Sequence, residues 1–176
     1  TDPEVQAILR ERYDLALDAR PTSPGEMVRR GGAEADFLWA TSEVTAATYR
    51  LTGGPLIRAE EVLRSPLVLY TWSDVAEALA REGLAEAGAA GYYTVDMDAL
   101  VGHLAEGRTW AEWGVEGLPG TVGVAPPDPR QSAVGGLYVE LLAETLGGEG
   151  ALPEIRALLA GQGYLYPTAG ALFRQY

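Results

Sequence analysis

Apolar positions along this chain switch between a spacing of two and a spacing of three to four, and the switches recur in one order. Residues 14–20, DLALDAR, set Leu15 and Leu17 on one face, and the turn PTSPGE then leads to a helix beginning near Glu26. The run ADFLWATSEVTAATYRL repeats this as a strand over 36–40, loop residues Thr41 and Ser42, and a helix from Glu43 to about Leu51. Residues 65–72, SPLVLYTW, are rich in strand formers and predict a buried central strand. The helix after it turns Val75, Leu79 and Leu84 inward, with Thr71 or Ser73 as cap. A last repeat lies in GTVGVAPPDPRQSAVGGLYVELLAETL, with a strand over 121–125, a proline turn and an amphipathic helix. Strand, polar loop and helix in succession predict a parallel α/β sheet. In such sheets ligands sit at the carboxyl ends of the strands.

The proline turn is the most informative loop. Pro126, Pro127 and Pro129 keep the backbone extended up to Arg130 and leave Asp128, Gln131 and Ser132 at the helix entrance. The first N–H groups of a helix have no partner inside it, so a small oxyanion could dock there. Taken alone, the simpler reading is that Asp128 or Ser132 caps the helix, with Gly135 and Gly136 allowing close packing. Thr22 and Ser23 stand at the second helix entrance, where capping is again the simpler reading.

Elsewhere the pattern is helical. TDPEVQAILRERY opens on a helix with Thr1 or Asp2 as cap and Pro3 in its first turn. GYYTVDMDALVGHLAEGRTWAEWG holds a short extended piece, a helix capped by Asp96 or Asp98 and stopped near Gly107, and a short helix bearing Trp110 and Trp113. Its aromatic residues fit packing better than a stacking platform. The end of the chain reads as a helix, a turn at 161–163 and YLYPTAGALF, where Thr168 starts another helix and Tyr164 and Tyr166 could line a cleft.

Composition removes several functions. The net charge is −12, and all 13 basic residues are arginine, with no basic stripe to neutralise phosphates, so nucleic acid is not an expected partner. No cysteine is present, which excludes disulfides and thiolate metal sites. No run of 18 apolar residues occurs. The single histidine, His103, stands on a helix beside Leu100 and Leu104, a poor start for a catalytic triad or a histidine metal site. No GxxxxGK(S/T) or GxGxxG string occurs. Loops bearing Ser, Thr and backbone amides suit holding a ligand rather than changing one, so no enzyme activity and no cofactor are expected.

The order of these features resembles the type II solute-binding proteins of bacterial ABC importers, near the branch that binds molybdate, sulfate and ferric iron. DFLWATSEVTAATYR looks like that family's strand and loop before the crossover, and SPLVLYTWSDVAEAL like the crossover strand. GRTWAEWGVEGLPGTVGVAPPDPRQSAVGGLYVELLAETL looks like the second-lobe strand with its ligand-facing helix start. These stretches cover about 100 of the 176 positions, none as diagnostic as a Walker loop.

The resemblance implies an α/β receptor of the periplasmic-binding-protein type II fold, with parallel-rich sheets, flanking helices and two lobes. Residues 1–70 would belong to the first lobe and 71–176 to the second. The family's first strand and return segments fall outside the sequence, which then reads as a fragment or a minimal relative. The receptor would be periplasmic or extracellular, with lipid anchoring open. It would capture a small ligand between the lobes and pass it to an ABC permease in the membrane. Carried over by position, the ligand-binding residues are Thr22, Ser23, Thr41, Ser42, Thr71, Trp72, Asp128, Arg130, Gln131, Ser132, Tyr166 and Thr168. Neutral hydroxyls and helix amides would replace the ligand's water shell, with Arg130 as the charged partner. Two alternatives remain: the effector-binding domain of a cytoplasmic transcription regulator, and a truncated α/β enzyme dependent on His103.

Overall fold

The computed structural model describes residues 2–176. Helices, counting three short 3-10 turns at Ala89–Gly91, Ala111–Trp113 and Glu149–Ala151 together with the α-helices, account for 49% of the residues. The α-helices are α1 (Pro3–Tyr13), α2 (Pro24–Glu34), α3 (Glu43–Leu51), α4 (Ser73–Arg81), α5 (Met97–Glu106), α6 (Ala133–Thr145), α7 (Leu152–Gly161) and α8 (Ala169–Phe173). The sheet has two short strands, β1 (Ala85–Ala87) and β2 (Tyr93–Val95), paired antiparallel with Ala85 opposite Val95 and Ala87 opposite Tyr93.

The expected parallel α/β architecture with two lobes is therefore not the one formed. Residues 14–20, 36–40 and 65–72 lack strand structure and sheet partners, and 121–125 contributes one isolated bridge, Thr109 to Thr121. The expected buried central strand is exposed on both faces, with Val68 at 53% and Leu69 at 39% of full exposure. The physical reason is that every hydrogen bond of a strand is made to another strand. Sequence pattern alone cannot supply the neighbour.

Most of the helices anticipated from spacing form, because their hydrogen bonds are internal to the segment. Asp2 caps α1 through its side chain (2.8 Å to the Glu4 N–H), whereas the alternative cap, Thr1, lies outside the described residues. Asp96, rather than Asp98, caps α5 (3.0 Å to the Ala99 N–H), and Gly107 ends it in the left-handed conformation.

The core is built around α5. On one side Leu100 joins Val75, Ala78 and Leu79 of α4, together with Leu84, Ala85, Trp113, Val115 and Val122. On the other side Val101 meets Tyr138 and Leu142 of α6, Ala151, and Ile155 of α7. Trp113 is thus core, as its spacing suggested, and its carbonyl accepts a hydrogen bond from Arg81 of α4 (3.1 Å). Burial among these apolar groups pushes the Tyr138 phenol up to about 12. Towards the N-terminus α2 packs on α3, whose Thr45 and Tyr49 are buried.

Candidate functional site

Asp128 is the hub of the loop that opens α6. Although only 2% exposed, it is fully partnered. Its carboxylate accepts the Arg130 backbone N–H (2.9 Å), Arg130 Nε (2.9 Å), Arg130 Nη2 (2.7 Å) and Gln131 Nε2 (3.0 Å). The bond two residues ahead is an Asx turn, a local fold that aspartate before proline favours. Hydrogen bonds from the Arg130 side chain, then from its backbone, hold the Asp128 carboxyl far below the usual carboxylate range. The fork fixes one edge of the guanidinium, which is otherwise open to solvent with 83% of the side chain exposed.

The Asp128 backbone closes the site from both sides. Its carbonyl accepts the N–H groups of Gln131 (3.0 Å) and Ser132 (2.8 Å), turning the chain into α6. Its N–H donates to the Tyr166 carbonyl (2.7 Å). The Tyr166 carbonyl reaches Asp128 because the chain reverses after α7 at Gly163, whose φ of +71° is in the left-handed region that glycine tolerates. Gly135 lets α6 seat against this loop, since a Cβ there would overlap the Pro127 carbonyl and Pro129. The loop and the returning segment border an open hollow of about 450 Å³, lined by Asp128, Arg130, Gln131, Gly163, Tyr164, Leu165 and Pro167.

Ser132 is a buried N-cap whose side chain makes no capping hydrogen bond, and α6 carries no acid in its first turn. The other expected hydroxyls are used differently. Ser23 caps α2 (3.2 Å to the Glu26 N–H) and Thr168 caps α8 (3.0 Å to the Ala171 N–H). Ser42 caps α3 (3.2 Å to the Thr45 N–H) and also donates to Glu140 of α6 (3.2 Å). Burial pushes Glu140 up, and the Ser42 hydroxyl draws it partly back. Nothing in the local pattern marks Glu140 as a partner; its one signal is a carboxylate inside the otherwise apolar LYVELLA of α6.

Of the twelve anticipated ligand-binding residues, the structure gathers Asp128, Arg130 and Gln131 in the cleft lining; Tyr166 is joined to them through its carbonyl, and Ser132 follows as the N-cap of α6 without lining the cleft. Trp72 stacks on Tyr176 (ring centroids 4.1 Å apart), and Tyr70 meets Phe173 edge-on, so the end of the chain lies against residues 70–72. Thr71 is exposed beside them. Thr22 and Thr41 are exposed, and Ser23 and Ser42 belong to the α2–α3 pair. Tyr164 and Tyr166 form an edge-to-face pair at 4.9 Å.

Two other places were candidates for chemistry. His103 is paired with Glu106 (3.2 Å) and packs against Trp113. A second hollow of about 470 Å³ between α5 and α6 presents Asp96, Asp98 and Glu144. Among the described residues no group of three or more His, Cys, Asp or Glu side chains is placed to hold a metal ion. No described helix is long and apolar enough to cross a membrane.

Comparison with known proteins finds no matching family model, no matching curated protein and no matching solved structure.

Proposed function

We propose that this chain is a binding protein that captures a small ligand bearing an oxyanion, in the cleft between residues 128–132 and 163–167. The observation that carries the reading is the state of Arg130. Buried Asp128 holds its guanidinium in a two-point fork, which orients the group beside Gln131 without covering it. An arginine oriented in this way presents its remaining N–H donors to a planar or tetrahedral oxyanion at little entropic cost. Ser132, two residues further on, leads into α6 with its hydroxyl making no capping bond. Because Ser23, Ser42 and Thr168 are occupied as caps, the proposal rests on the cleft and not on the full set of hydroxyls.

In this reading the protein binds and releases its ligand without transforming it. Delivery to an ABC permease from outside the cytoplasm is the setting the sequence resemblance implies, and it rests on that resemblance alone, because the two-lobed fold it also implies is not formed. Thermal unfolding with molybdate, tungstate, sulfate and phosphate tests the reading. At a hundred times its dissociation constant, a bound anion adds about 2.7 kcal/mol, raising Tm by roughly 5 to 11 °C for a chain of this size. The rise should disappear in Arg130→Ala and shrink in Gln131→Ala. An unshifted native protein, or an equal shift in Arg130→Ala, would remove the basis for this site.

A further inference from the structure

Resting on that reading of the cleft, the geometry points to a more specific ligand class: an organic anion whose charged group is joined to a flat, apolar body. The anion-binding groups are only part of the lining. Besides Asp128, Arg130 and Gln131 the lining comes from residues 163–167, where Tyr164, Leu165 and Pro167 add apolar groups and one aromatic ring to an otherwise polar cleft. At about 450 Å³ the space far exceeds a bare tetrahedral oxyanion, which occupies on the order of 100 Å³ or less, three or so times the share of one water. An inorganic ion at Arg130 would leave the apolar lining to water.

Tyr164 lines the cleft and is 72% exposed. Its ring is held from one side only, edge-to-face against Tyr166, while the Tyr166 carbonyl is fixed to the Asp128 N–H. The same aspartate therefore anchors both halves of the cleft: its carboxylate sets the guanidinium and its N–H sets the tyrosine pair. Arg130 and Tyr164 thus line one cleft, whose two segments are joined by the bond from the Asp128 N–H to the Tyr166 carbonyl. A ligand spanning the cleft would bind its anionic end through N–H donors and cover the Tyr164 face with its flat part, gaining both aromatic contact and apolar burial.

The experiment compares phenyl phosphate with inorganic phosphate by isothermal titration at one ionic strength, using the native chain, Tyr164→Ala and Tyr164→Phe. Phenyl phosphate should bind the native protein about tenfold more tightly than phosphate. Tyr164→Ala should bring the two probes to equal affinity, and Tyr164→Phe should keep the preference. Because Tyr164 is exposed, both variants should unfold at the native Tm. Equal affinities in the native protein, or a preference that survives Tyr164→Ala, would overturn the flat-ligand assignment and leave anion capture standing. Absence of binding by both probes would overturn this inference together with the reading it rests on.

Discussion

Residues 73–161 and residues 3–72 carry similarly apolar sequence and come to opposite ends. Among the described residues every buried apolar side chain except Tyr49 lies at or beyond Val75. Before that point Phe37, Trp39, Leu51, Ile57, Val62, Leu63 and Tyr70 all stand open to solvent. The difference lies in what each pattern needs. An amphipathic helix completes its own backbone hydrogen bonds and then requires one partner surface; α4, α5, α6 and α7 provide this for one another. A strand needs its neighbour before it exists at all, and 65–72 finds none.

The largest effect that would separate the regions comes from truncating their apolar side chains. Leu142, with no exposure, is packed with Val101, Tyr138 and Ile155. Leu142→Ala should cost about 2 to 5 kcal/mol, lowering Tm by on the order of 10 °C. Ile57→Ala, at a fully exposed position, should stay within about 0.5 kcal/mol. Comparable losses in urea unfolding would show that residues 55–72 are packed after all.

Next in size is Gly135→Ala. An added Cβ meets backbone rather than a flexible side chain, so either α6 or the proline turn must move, at about 1 to 3 kcal/mol. A variant as stable as the native protein would contradict the close seating of α6 on the loop.

The two serines at helix entrances provide a finer contrast. Ser42→Ala removes a helix cap and the bond to Glu140, and should cost about 1 kcal/mol or somewhat more. Ser132→Ala removes no capping bond and should cost less than half of that. Reversal of this order in denaturant midpoints would mean that Ser132 is the structural cap and not an available hydroxyl.

The helix starts were legible because an Asp, Ser or Thr ahead of an apolar period has a local role, as Asp2, Ser23, Ser42, Asp96 and Thr168 demonstrate. The same rule explains why the binding hydroxyls were over-assigned. A serine at a helix entrance looks identical in sequence whether it caps or waits for a ligand. The loop 126–132 was readable from its prolines, and its closure by Tyr166 only as a cleft that tyrosines could line. The Ser42 to Glu140 bond spans 98 positions, and no local spacing encodes it.

Two carboxylates shifted in opposite directions offer the smallest and most selective test. Asp128 is held below its ordinary value, so its contribution is complete above the unfolded carboxylate pKa, about 4, and is lost as pH falls through the folded value. Asp128→Asn should destabilise most at neutral pH, with the gap narrowing in acid. Glu140 is held above its ordinary value, so its contribution is complete below about pH 4 and lost as pH rises through the folded value. Glu140→Gln should therefore compare more favourably with the native protein at pH 7 than at pH 4. Tm measured from pH 3 to 8 for both variants checks the two opposite slopes, and parallel slopes would contradict these assignments.

Apolar sequence becomes ordered core after residue 73, whereas residues 55–72 find no strand partner among the described residues. Amide hydrogen exchange at peptide resolution tests this contrast most directly. Slow exchange is expected over 97–106 and 138–145, where the backbone is helical and buried. Residues 65–71, whose amides have no acceptor within the described chain, should exchange close to the rate of unstructured peptide. Protection of 65–71 equal to that of α5 would contradict the account and restore a buried strand at that position.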